Sequence, residues 1–260
     1  MLMANAVNAS AIHVRQEAAS PCQEQVPSEE IVEISRKLRL EASNSSLTRR
    51  QQGIFNIRVY AHVVFHYGMA AGGYVPEHLI ANQIQIMNRH YRNVGISFTL
   101  ADVDEEWNPA WAHGYDELVA GFCYLPIPRR LDWWELVLDG CVVIAREVPM
   151  VEGWTGRDMA ATHPVGHYLG LYHTFESGNR GERRCFPGDD IDDDIDDAYP
   201  QEIPSYDNPQ PIVRACGGRQ RSNMYNFMDY SDYSNSFTPQ QASRMRFFAN
   251  VRRQIAAGYW

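Results

Sequence analysis

His163, His167 and His173 are the residues of this chain best placed to do chemistry. Side chains at i and i+4 leave a helix on the same face, one turn apart, so the first two imidazoles can hold one metal ion. Gly166 lies between them, and Gly170 stands where the chain must leave the helix. A glycine at 170 can take positive φ if needed and let His173 swing back as a third ligand. Three histidines leave one position on zinc open for water, the arrangement of catalytic rather than structural sites. The plainer reading is three ordinary histidines on an amphipathic helix, and it leaves their register with the glycine to chance. One residue departs from what hydrolysis requires. The position after His163, where a carboxylate would take a proton from the attacking water, holds Pro164, which can neither accept nor donate one.

Proline also perturbs the backbone. It lacks an N–H, and its ring meets the carbonyl of Ala160 if the helix is already running there, at a cost of about 3 kcal/mol or more. Alternatively the helix starts late, with Thr162 or His163 capping and Pro164 in the first turn. His163 is then expected to leave ideal i,i+4 geometry. Both routes predict weakened zinc binding.

A second segment, Asn226-Phe227-Met228-Asp229-Tyr230-Ser231-Asp232, follows the histidines. Alone, Met228 reads as plain core. After this histidine set it reads as the methionine of a tight turn beneath a zinc site. The histidine spacing is that of the H-E-x-x-H-x-x-G-x-x-H signature with Pro164 in place of its glutamate. With Gly156 to Thr162 before it and Thr174-Phe175 after it, the chain resembles the pappalysin-like metzincins, in particular their secreted fungal extracellular metalloprotease branch. Phe237 to Met245, Gly121 to Pro126, Asp139 to Ile144 and Pro27 to Glu30 are also similar to that family. The likeness runs with gaps from about Cys22 to Trp260, and only the two zinc-site motifs are specific.

The resemblance implies an α/β fold of the α+β metzincin type: a twisted mixed sheet with an active-site helix, then a Met-turn and C-terminal helix subdomain. It implies an endopeptidase that hydrolyses peptide bonds by zinc-activated water, with a protein or peptide in its cleft. Zinc falls to His163, His167 and His173, the missing general base to Pro164, and the Met-turn to Met228. Tyr230 matches the tyrosine that steadies the oxyanion in relatives; a packed core tyrosine is the other reading. The acidic residue with which relatives prefer arginine after the cut falls on Tyr233, so that specificity is not carried over. By the same resemblance Cys185 pairs with Cys216 and Cys123 with Cys141. Five cysteines leave Cys22 over, without a firm assignment to the zinc-blocking cysteine of a pro-region. All five as buried thiols in a reducing compartment is the alternative.

The net charge is −9, and seven aspartates lie between Asp189 and Asp197. A solvated, self-repelling loop is one reading. Calcium is the other, since hard carboxylate oxygens at short spacing suit that ion. Gly188-Asp189-Asp190-Ile191-Asp192-Asp193 matches a segment near which some relatives bind calcium, making Asp189, Asp192 and Asp193 the candidate ligands; a second Asp-Ile-Asp-Asp follows. Such a balance disfavours nucleic acid as a partner. No apolar run approaches the length of a membrane span. Secretion is expected from the resemblance and fits the sequons at Asn8 and Asn44, although residues 1–11 lack the basic start of a signal peptide.

Apolar periodicity supplies the elements that must position these residues. Ile57, Val59, Ala61, Val63 and Phe65 alternate as a half-buried strand. Ile80, Ile84, Met87, Tyr91 and Val94 form a helical stripe within 77–94, closed by Gly95, and 96–103 alternates again. Residues 141–145 read as a short buried strand. Thr238-Pro239-Gln240-Gln241 opens a C-terminal helix to about Ala257, with a cap, proline at the first position and a capping-box glutamine. Residues 1–54 read as a linker or pro-region-like segment with an amphipathic helix over 28–42. Residues 55–260 read as the peptidase-like domain, divided into an upper part, 55–173, and a lower part, 174–260. Between Ala112 and Gly121 an inner strand of the family sheet is missing, which would leave unpaired ladder groups on both neighbours unless another segment fills in. A decayed gene and an incomplete gene model both fit.

Two function classes follow. One is a zinc endopeptidase by family, inactive or severely impaired by Pro164. The other is a non-catalytic secreted pseudo-peptidase that keeps the cleft as a binding or effector surface. An error at Pro164 in an active protease is a third, smaller alternative.

Overall fold

A computed structural model describes residues 2–5, 53–68, 72–109, 112, 140–149, 158–175, 195, 197–198, 201, 204–205, 212–215 and 218–256. Its first strand, β1, is Leu2–Asn5, followed by β2 (Phe55–Phe65), α1 (Glu77–His90), β3 (Ile96–Trp107), β4 (Cys141–Ile144), α2 (Thr162–Tyr168), β5 (Ile212–Ala215), β6 (Gly218–Arg221) and α3 (Pro239–Ala256).

The main sheet has the order β3-β2-β1-β4, and each of its pairs is parallel. A mixed sheet was expected; among the described residues the antiparallel pairing is confined to the separate β5–β6 hairpin. The inner position is filled. β1 lies between β2 and β4, with Leu2 opposite Ala61 on one side and Cys141 on the other. Residues 2–5, expected in an N-terminal linker, are thus part of the sheet and pair with β2 and β4; the expected loss of a strand between Ala112 and Gly121 falls on residues outside the described ones.

The periodicity places the core where expected. Val59, Ala61 and Val63 of β2 are buried, as are Ile80, Ile84 and Met87 of α1, and Tyr91 and Val94 beyond it. The helix closes through a 3-10 turn, Arg92–Val94, and Gly95 takes φ 76°, the left-handed cap that a glycine adopts without a Cβ penalty. These residues join Cys141 and Val143 of β4, Val165 and Leu169 around α2, Met228, and Met245 and Ala249 of α3 in one apolar cluster. Burial of this kind is the dominant favourable term in folding, about 25 cal/mol per Å² of apolar surface. Arg246 carries α3 to the far end of the sheet, donating to the carbonyls of Gly95 (3.0 Å) and Gly53 (3.1 Å).

The start of α3 follows its sequence. Gln241 donates its backbone N–H to Thr238 Oγ1 (3.1 Å), and the Thr238 N–H donates back to Gln241 Oε1 (2.9 Å), the reciprocal bonds of a capping box. Of the doubled Asp-Ile-Asp-Asp only part of the second copy, Ile195 and Asp197, is described. Ile195 enters the core, and Asp197 Oδ2 accepts the Gln240 N–H at 3.0 Å. Asp189, Asp192 and Asp193 lie outside the described residues, as do Cys22, Cys123, Cys185, Cys216 and the expected helix over 28–42.

Candidate metal centre

α2 is only seven residues long and is fixed at both ends. At its start the Tyr91 hydroxyl donates to the Thr162 carbonyl (2.9 Å), and His90 Nδ1 lies 2.8 Å from Thr162 Oγ1. At its end Gly170 has φ +88°, in the left-handed region, and a Cβ there would overlap the Phe248 ring. The expected exit through a positive-φ glycine is therefore taken. Arg244 holds it, donating from Nε to the Gly170 carbonyl at 2.6 Å.

Pro164 lies in the first turn of α2, but the cap is Ala161 rather than Thr162 or His163, and a helical turn from Met159 already precedes it. It is the third residue of α2, where a backbone N–H has little call for an intrahelical partner. The hydrogen bonds on either side of it survive: His163 N–H to Met159 O and Val165 N–H to Ala161 O, both 3.1 Å. The expected departure of His163 from its partner does not occur. His163 Nε2 is 3.1 Å from His167 Nε2 and 3.1 Å from His173 Nε2, and His167 Nε2 is 3.0 Å from His173 Nε2.

Those spacings fit a metal. Three nitrogens each about 2.0–2.1 Å from one zinc ion lie roughly 3.0–3.4 Å from one another. The tautomers fit as well. His163 Nδ1 is 2.7 Å from the Phe227 carbonyl and His167 Nδ1 is 2.8 Å from the Leu171 carbonyl. A carbonyl can only accept, so each Nδ1 carries the proton and each Nε2 presents its lone pair. The pKa of His163 is pushed down to about 3, chiefly by burial and next by the neighbouring His173, with the Phe227 carbonyl opposing the shift. Burial alone takes His173 to about 3. Neutral imidazoles with converging lone pairs are what a cation requires. Among the described residues no other group of three or more His, Cys, Asp or Glu side chains converges in this way.

Met228 packs against α2 at Gly166. Met228 is fully buried, its N–H bonded to Asn226 Oδ1 (2.9 Å), and its carbonyl accepts the Thr174 N–H (3.2 Å) next to His173. The preceding residue, Phe227, orients His163 through its carbonyl. The following one, Asp229, accepts from the N–H groups of Ser205 and Tyr230, both at 2.9 Å. Tyr230 brings its hydroxyl 3.0 Å from His173 Nε2. Phe175 stacks on His173 with centroids 4.6 Å apart. Phe227, Phe175 and Asp229 were not singled out from the sequence; their one signal is adjacency to the Met-turn and to the third histidine. Cys141 is buried with Sγ 3.4 Å from the Pro164 carbonyl.

The comparisons agree with this geometry. The profile of the family Peptidase_M43, described as Pregnancy-associated plasma protein-A, matches residues 152–250. The chain is 31% identical over 278 residues to an extracellular metalloprotease of Colletotrichum graminicola, spanning 94% of this chain and 95% of that one. It is 30% identical over 262 residues to extracellular metalloprotease 1 of Coccidioides posadasii, spanning 90% and 89%. Its fold is similar to that of mature Tannerella forsythia mirolysin in complex with a cleaved peptide, with a TM-score of 0.56 and 19% identity over 79% of this chain and 98% of that one. With three histidines gathered over a buried methionine and relatives matched along almost their whole length, this chain belongs to the peptidase M43, or pappalysin, family of zinc metallopeptidases.

Proposed function

We propose that this chain is a secreted zinc-binding protein of the pappalysin family that accepts a peptide beside α2 and hydrolyses it very slowly or not at all. The observation that carries the reading is the convergence of three Nε2 atoms within 3.0–3.1 Å while Pro164 occupies the position after the first of them. Zinc held by His163, His167 and His173 would polarise a peptide carbonyl and make water more acidic. Pro164 cannot accept the water proton or return it to the leaving amine. Loss of general acid–base assistance costs roughly 10²–10⁴ in rate, about 3–5 kcal/mol of barrier. The nearness of the Tyr230 hydroxyl to His173 Nε2, 3.0 Å, supports a role as donor to a developing oxyanion.

The names of the relatives support secretion, and the cleaved peptide of the mirolysin complex supports a peptide occupant. The division at 55–173 and 174–260, the disulfide Cys185–Cys216, and calcium at Asp189, Asp192 and Asp193 belong to the same proposal; the expected Cys123–Cys141 pairing is not retained, since Cys141 carries a thiol that donates to the Pro164 carbonyl. A second reading, a pseudo-peptidase that binds peptides without cleaving them, is favoured by the ligand geometry that survives beside Pro164.

Zinc analysis after dialysis, followed by peptide digestion with wild type and Pro164→Glu, tests the proposal. Wild type is expected to bind one zinc more weakly than Pro164→Glu and to cleave little, while Pro164→Glu gains about 10²-fold or more in cleavage. Absence of zinc, or wild-type cleavage near the rate of the variant, overturns it. A variant that holds zinc and cleaves nothing supports the second reading.

A further inference from the structure

We propose that the space between β2 and β4 is a strand-acceptor site, filled in this chain by residues 2–5 and open to an extended peptide of the same sequence supplied in trans. Each wall has contacts of its own besides the occupant. β2 is held along its whole length by β3, from Phe55 opposite Ile96 to Phe65 opposite Trp107. β4 is held by the core, where Cys141 and Val143 are buried, and by the contact of Cys141 Sγ with the Pro164 carbonyl.

The walls also demand an occupant. Ala61, Val63 and Val64 of β2 are buried, as are Cys141 and Val143 of β4. An empty slot would leave the backbone N–H and C=O groups of both strands without partners where water is scarce, at about 1–3 kcal/mol for each buried group. Residues 2–5 remove that penalty on both sides at once. Leu2, Met3, Ala4 and Asn5 stand opposite 61–64 on β2 and Cys141–Ile144 on β4 in one unbroken parallel register.

The recognition is carried by the backbone ladder, the mode by which sheets take up extended peptides. No tight turn sets the register, because residues 6–54 separate β1 from β2. The ladder and the flanking strands set it, and these present the same donors and acceptors to a tethered or an untethered strand. The ligand class is therefore a short extended peptide running parallel to β2 and β4. Because β4 also touches α2, occupancy of the slot bears on the helix that carries His163 and His167.

Hydrogen exchange on the full chain tests this without any substitution. The amides of 3–5 are expected to exchange at least tenfold more slowly than in the free peptide MLMANAVN; exchange at the free-peptide rate overturns the proposal. Ala4→Pro then removes one ladder donor from an inner strand, where proline is not accommodated. Amides of 61–64 and 141–144 should lose protection, and MLMANAVN should restore it saturably while the same peptide with proline at its fourth position does not. Protection unchanged in Ala4→Pro, or lost and not restored by the peptide, overturns the proposal. If Ala4→Pro does not fold, Ala4→Gly, which keeps the N–H and weakens the strand, is read against the same two outcomes.

Discussion

A Cβ placed on Gly166 would lie 2.5 Å from Sδ of Met228, so the helix bearing His163 and His167 rests on Met228 through the absence of a side chain. Met228 is fully buried and its backbone is fixed by Asn226, which leaves its sulfur little room to retreat. Gly166→Ala is expected to destabilise the fold by about 1–3 kcal/mol, the usual cost of overpacking a core, and to weaken zinc retention by tilting α2. Thermal unfolding and zinc analysis check this. An unchanged midpoint would mean that Met228 moves freely.

Gly170 sets a stricter limit. Its φ of +88° disfavours any residue with a Cβ, and that atom would also meet Phe248. Gly170→Ala should cost more stability than Gly166→Ala and displace His173, which is reached through this exit. Equal stabilities of the two variants would count against the argument.

The capping box of α3 is expected to contribute about 0.5–2 kcal/mol through the Thr238 hydroxyl, which accepts the Gln241 N–H at 3.1 Å. Thr238→Ala should lose that amount in denaturant unfolding with the histidine site intact. Asp197→Ala, which removes the acceptor of the Gln240 N–H, should lose less, because that contact is exposed.

Acid should unfold the metal-free protein through its histidines. In the folded chain burial pushes His163 and His173 down to about 3, whereas an unfolded histidine titrates near about 6.5. The unfolded chain binds more protons between those values. The stability contribution is therefore complete above about pH 6.5 and is lost progressively as the pH falls toward about 3, by up to about 1.4 kcal/mol per pH unit for each histidine. Denaturant unfolding at several pH values between those limits measures the slope. A flat profile would contradict the neutral, buried state of the two rings.

In a chain carrying Pro164→Glu, Tyr230→Phe should reduce kcat by about 10²-fold or more and leave zinc in place, as expected for loss of an oxyanion donor. Unchanged kcat would leave Tyr230 as a packing residue against His173 and Phe175, whose rings it touches with centroids 5.1 and 4.8 Å away.

Much of the fold and site is legible in the residues themselves. The i,i+4 histidines, the glycine exit, the alternation of β2, the stripe of α1 and the Thr238 capping box all follow from local periodicity and local stereochemistry, which a single segment carries on its own. The family also follows, because the histidine spacing and the Met-turn motif state it in two short runs. What Pro164 removes is equally plain, since a proton acceptor is either present in the side chain or absent.

Other features needed the packed chain. Pro164 does not displace His163, because hydrogen bonds from residues 159–165 continue on both sides of it and Phe227 holds the ring from another segment. That Ile195 joins the core, within a run of aspartates that reads as a solvated loop, is likewise decided by packing. The inner strand is the clearest case. Residues 2–5 carry no periodic signal of their own, and their place between β2 and β4 is set by the unpaired ladder groups of strands remote from them in the chain. Local sequence determines what a segment can become, while the donors and acceptors left open by distant segments decide where it goes.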